Sequence, residues 1–164
     1  MRTSSSQPAL WPGEEELNGE NGRDWNGTED SVTQHWPIIA VADVPRSSGW
    51  YAELLQGNEN HPDASVFNQI LADDGAVLLC LHKWGPSGPR GDHHWPSLAD
   101  PGSGRVGNGI LLWFVVDDFP DAWERAQKLG SRVEESPNTN NGTGMRAFVV
   151  TDPDGYSVAI NEIR

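Results

Sequence analysis

A single cysteine, Cys80, stands among the 164 residues, and that scarcity excludes an intrachain disulfide. It suits a reducing compartment and points to the cytoplasm. Cys80 lies inside an apolar run, Ala76-Val77-Leu78-Leu79-Cys80-Leu81, so it reads as a small core side chain rather than a nucleophile. Basic residues are also scarce: 11 Lys and Arg face 24 Asp and Glu, a net charge of −13. The deficit runs along the whole chain. Residues 1–36 hold seven acidic and two basic side chains, and the remainder holds 17 and nine. Such a balance argues against nucleic acid or an anionic membrane as partner, and favours a cationic small molecule over an anionic one. No run reaches the roughly 20 apolar residues that span a bilayer. The start, Met1-Arg2-Thr3-Ser4-Ser5-Ser6-Gln7-Pro8, lacks the apolar stretch of a secretory signal. Without secretion, the Asn-Gly-Thr sequons at Asn26 and Asn141 read as turns. A Gly-x-Ser-x-Gly elbow and a Cys–His pairing are absent too, which removes the usual grounds for a hydrolase.

What the chain does have is one structural idea stated twice. Residues 37–83 run strand, helix, strand, turn, strand. They open on Pro37-Ile38-Ile39-Ala40-Val41-Ala42-Asp43 and close through Asp73-Asp74-Gly75 into the run that contains Cys80. Residues 109–163 repeat the order, from Ile110-Leu111-Leu112-Trp113-Phe114-Val115-Val116-Asp117-Asp118 through Asp152-Pro153-Asp154-Gly155 to Tyr156-Ser157-Val158-Ala159-Ile160. Paired units of this kind can close around a cavity that neither makes alone.

Local signals divide the chain. Residues 1–33, rich in Ser, Gly, Asn and Glu and without periodicity, are expected to be a disordered acidic tail. Residues 34–164 form the domain, with modules at 36–83 and 109–163 and a Pro/Gly/His linker at 84–108. Asp43 and Pro45 predict a helix over Arg46–Gln56 that stops at Gly57. Residues 58–63 read as a loop, and Val66–Ala72 with Ala76–His82 as a hairpin. In the second module a helix is expected at 121–129 and strands at 110–117, 132–134, 145–151 and 156–162.

Taken in order, Val41-Ala42-Asp43 before a helix bearing Trp50-Tyr51, Val116-Asp117-Asp118-Phe119 before a second helix, and Asp152-Pro153-Asp154-Gly155-Tyr156 resemble the vicinal oxygen chelate superfamily. That superfamily includes glyoxalase I, bleomycin-resistance proteins, fosfomycin-resistance enzymes and extradiol dioxygenases. The resemblance covers residues 36–163 and implies an α+β fold: two βαβββ modules forming a half-open barrel around a pocket, in a homodimer. It also implies metal ligands at four places, which here hold Trp36, Leu79 or a neighbour, Leu111 and Ala159. Such side chains cannot donate a lone pair to a divalent cation, which takes imidazole, carboxylate or water. The metal-free, bleomycin-resistance-like branch is therefore the expected one. It implies sequestration of a small molecule, with neither a metal nor another cofactor. The alternatives are a glyoxalase- or dioxygenase-like enzyme with a displaced metal site using His35, His82 or His93, and a non-catalytic interaction domain.

Strand alternation then selects a wall for the cavity. Trp36, Ile38, Leu79, Leu111, Trp113, Ser157, Ala159 and Asn161 are expected to line it, with Leu81 beside them. Such a cup suits an aromatic or cationic ligand held by stacking and burial. His82 is expected to be a partly exposed imidazole at a strand end. Asp92-His93-His94-Trp95 reads as a loop over the pocket mouth, because adjacent histidines on an extended chain point apart. Gly102-Ser103-Gly104-Arg105-Val106-Gly107 matches a dinucleotide pattern literally but precedes a strand, so it carries no such role.

Overall fold

A computed structural model describes residues 34–85, 95–102, 104, 106–139 and 144–163. The expected tail, the motif Asp92-His93-His94 and both sequons fall outside them. Among the described residues no helix is long and apolar enough to cross a membrane.

The first module comprises β1 (Ile38–Val41), α1 (Val44–Leu55), β2 (Asn58–Glu59), β3 (Phe67–Leu71) and β4 (Val77–Lys83). The second comprises β5 (Leu112–Val116), α2 (Phe119–Lys128), β6 (Arg132–Thr139), β7 (Arg146–Thr151) and β8 (Ser157–Glu162). Each makes its own four-stranded sheet, in the orders β1-β4-β3-β2 and β5-β8-β7-β6. The two sheets share one topology and are not joined into a closed barrel. In both, the strand before the helix pairs parallel with the last strand of its module, and the remaining pairs are antiparallel.

The helix signals act as expected. The Asp43 carboxylate accepts the Arg46 N–H at 3.1 Å, Pro45 lies in the first turn, and Gln56 closes α1 in the left-handed region at φ 51°. Asp118, in the cap position of α2, makes no such capping bond; its carboxylate lies 2.7 Å from the Arg125 guanidinium. Arg125 in turn donates through Nε to the Leu54 carbonyl at the end of α1. That places one cation against the carbonyl end of a helix, where it is favoured.

Two strands depart from expectation. β2 is two residues long and polar, so only its pairing with Leu71 and Ile70 of β3 defines it. β6 runs eight residues rather than three, through Pro137, because an edge strand with register shifts tolerates a residue that cannot donate to the ladder.

One core joins the modules through their helix-bearing faces. Ile39, Val41, Ile70, Leu79 and Leu81 of the first sheet and Leu112, Phe148, Val150, Val158 and Ile160 of the second are buried in one cluster with Tyr51, Leu54, Phe119 and Ala122. The turn between β7 and β8 ties the halves with polar bonds. Asp154 accepts from the Ala42 N–H and the Ser47 hydroxyl, both at 2.6 Å, and Tyr156 donates to the Ala40 carbonyl at 3.0 Å.

Candidate functional site

The core uses one face of each sheet, so the other face is what remains for a ligand. In the first sheet that face carries Ile38, Ala40, Gln69, Cys80 and His82, since Ile38 pairs with Cys80 and Ala40 with His82. In the second it carries Trp113, Val115, Val149, Ala159 and Asn161, since Trp113 pairs with Ala159 and Val115 with Asn161. The structure thus brings Ile38 to one such face and Trp113, Ser157, Ala159 and Asn161 to the other. Trp36 and Leu111 precede the strands in the same alternation.

Leu79 is a correction, and Leu81 with it. Both are fully buried on the helix side, within the core. The register explains it: Leu81 lies opposite Ile39, a core residue, and Cys80 opposite Ile38. An assignment one residue along β4 gives the right face.

The wall is open in the single chain. Trp36 is 42% exposed, Trp113 45% and Leu111 49%, so these side chains do not fill a closed interior. An open cleft of about 430 Å³ lies beside the second sheet, lined by Val106 to Ile110, Arg132, Glu134, Asp154, Gly155 and Ser157. It is a polar corner. The Glu134 carboxylate accepts from the Thr151 hydroxyl at 2.8 Å and from the Ser157 hydroxyl at 3.0 Å, with Arg132 3.4 Å away. A register shift between Val133 and Glu135 re-aims this stretch of β6, as bulges beside functional faces do.

His82 is a second correction. It is 1% exposed, not partly exposed, and sits among Phe67 and Trp95, with Trp95 edge-on at a centroid distance of 5.7 Å. Trp95 precedes the short 3-10 turn Pro96–Leu98 of the linker. The His82 Nδ1 lies 2.6 Å from the Lys83 carbonyl, which can only accept, so Nδ1 carries the proton. In the neutral ring Nε2 is then a bare acceptor, and it is buried without a partner among the described residues. Asn161 repeats this arrangement. Its Nδ2 donates to the Phe114 carbonyl at 3.2 Å, while Oδ1 is buried without a partner among the described residues.

The metal implied by the fold does not fit these residues. Trp36, Leu111 and Ala159 carry no donor. Pairing register makes Cys80, not Leu79, the counterpart of Ala159, but burial pushes its thiol up, away from the thiolate a metal requires. Among the described residues no three His, Cys, Asp or Glu side chains gather as a metal site.

Several solved structures share the fold. An integron cassette protein from the V. cholerae mobile metagenome is 20% identical, with 83% of this chain and 100% of that one covered at a TM-score of 0.58. TioX from Micromonospora sp. ML1 is 13% identical, with coverages of 79% and 98% and a TM-score of 0.56. The fosfomycin resistance protein FosX from Mesorhizobium loti is 17% identical, with coverages of 82% and 95% and a TM-score of 0.54. No curated protein matches the chain. Residues 33–160 match the family model for the Glyoxalase/Bleomycin resistance protein/Dioxygenase superfamily, and with its paired βαβββ modules the chain belongs to that superfamily.

Proposed function

We propose that this protein binds and sequesters a small, apolar or aromatic molecule without a metal, as a homodimer in a reducing compartment such as the cytoplasm. The observation that carries the reading is the residue set at the chelating positions. Trp36, Leu111, Cys80 and Ala159 replace a ligand set with indole, alkyl and a buried thiol, and the Trp36 indole, like that of Trp113 on the second sheet, is exposed rather than packed. An open face bearing Trp113, Leu111 and Val115 offers dispersion and burial to a flat ligand and offers no Lewis acid. The net charge of −13 favours a neutral or cationic ligand over an anionic one.

Dimerisation has two supports. β1 and β5 are edge strands, and exposed edges recruit partners unless covered. Large apolar side chains are exposed on and beside both edges: Trp36, Ile38, Leu111, Trp113 and Val115. A second copy covering them turns an open wall into an enclosed one.

Elemental analysis of the purified protein, alongside light scattering, tests this function. The expected result is a dimer with far less than one equivalent of zinc, nickel, manganese or iron per chain. Stoichiometric metal, lost on replacing one histidine, overturns the metal-free reading and favours an enzyme with a displaced site.

A further inference from the structure

We infer that His82 and Asn161 are the polar anchors of the two ligand-facing sheets, each accepting a hydrogen bond from an N–H or O–H donor on an aromatic ligand. The inference rests on the binding role proposed above and names the ligand's hydrogen-bonding polarity.

Three observations converge. The first is equivalence. Ala40 pairs with His82 in the parallel ladder β1–β4, and Val115 pairs with Asn161 in the ladder β5–β8. Ala40 lies three residues before the cap Asp43, and Val115 three before Asp118. His82 and Asn161 therefore occupy the same place in the two modules, on the face away from the core.

The second is the way each side chain is committed. Both give their donor to a backbone carbonyl, His82 to Lys83 and Asn161 to Phe114. Both leave an acceptor, Nε2 or Oδ1, buried and without a partner among the described residues. Different residue types thus arrive at one electrostatic outcome, a fixed lone pair on the ligand-facing side of the sheet.

The third is the company they keep. His82 stands beside Phe67 and Trp95, and Asn161 beside Val115, two residues along β5 from Trp113. An apolar surround strengthens a hydrogen bond to a matching donor and penalises a second acceptor brought against the lone pair. The ligand selected is an aromatic frame that presents donors.

Indole and benzofuran test this, being the same bicycle with N–H exchanged for oxygen. Titration of the full-length protein by NMR, with uniform ¹⁵N labelling, reads affinity, the backbone amides and the His82 Nε2 resonance together. Indole is expected to bind about tenfold more tightly than benzofuran, the discrimination that one satisfied buried acceptor confers. The preference should fall to parity in the double variant His82→Phe, Asn161→Leu, and indole alone should move Nε2 in the wild type. Equal affinity of the two compounds for the wild type overturns the inference, as does a tenfold preference kept by the double variant. An Nε2 resonance indifferent to saturating indole removes His82 from the pair even if the double variant does not fold. The binding role fails separately. If neither compound shifts any amide of the Trp113-bearing sheet, that role is lost and the inference with it, whereas equal binding of both compounds sinks the inference alone.

Discussion

Replacing Tyr51 by Phe tests the polar tie between the two modules. Tyr51 is fully buried, and its hydroxyl donates to Asp152 Oδ2 at 2.7 Å across 101 residues of sequence. Asp152 is the hub of the β7–β8 turn. Its other oxygen accepts the backbone N–H groups of Asp154, Gly155 and Tyr156 at 2.9, 2.7 and 2.8 Å. Phe keeps the ring and so leaves almost no cavity; what disappears is one charge-assisted hydrogen bond in a buried place. Such a bond contributes about 1.5–3 kcal/mol, so a loss near 2 kcal/mol at pH 7 is expected.

The pH dependence has a definite sign. Burial pushes the Asp152 carboxyl up, and the Tyr51 hydroxyl is the largest of the bonds that pull it back down. Removing that hydroxyl raises the carboxyl further. A carboxyl raised in the folded state contributes stability when protonated and loses it as pH rises through the folded value. The deficit of Tyr51→Phe should therefore be largest at neutral pH and shrink toward pH 4. Urea unfolding of wild type and variant at pH 7, 5.5 and 4, with equal m-values, measures it. A deficit under about 0.5 kcal/mol at pH 7, or one that grows on acidification, refutes the reasoning.

Alkali should destabilise the fold for a related reason. Burial pushes Tyr156 up to about 12 and raises Tyr51 well above its ordinary 10, so the unfolded chain releases these protons first. Stability should fall steeply as pH rises from 10 toward 12, and Tyr156→Phe should flatten that slope; urea midpoints across the interval show it. Gly107→Ala should cost more than about 1 kcal/mol, because φ is +70° there and an added Cβ would stand 2.6 Å from the Tyr156 ring. A thermal melt unchanged from wild type would contradict that close approach.

The fold was legible because its two halves punctuate themselves alike. Asp43 with Pro45, and Asp-Gly at both closing hairpins, are local signals whose meaning does not depend on distant contacts. β2 and the outer part of β6 were not legible, because pairing alone defines them. On β1, β5 and β8 the expected alternation agrees with the pairing register, which sets Ile38, Trp113, Ala159 and Asn161 on the face away from the core. On β4 it slipped by one residue. In Val77-Leu78-Leu79-Cys80-Leu81 either parity looks apolar, and only the pairing with β1 decides which member faces the core. The polar end of the strand, His82, marked the open side, but its burial comes from neighbours remote in sequence.

Trp113 tests the central claim most directly, because it separates an open binding wall from a filled core. A thermal-shift and urea-unfolding comparison of wild type and Trp113→Ala, each with and without a panel of aromatic and cationic compounds, reads stability and binding together. With Trp113 45% exposed, the substitution should cost less than about 2 kcal/mol and leave a folded domain, against about 3–5 for a tryptophan lost from a core. At least one aromatic compound should raise the melting temperature of the wild type and leave that of the variant unmoved. A wild type that no compound stabilises, together with a variant that unfolds, would contradict the account.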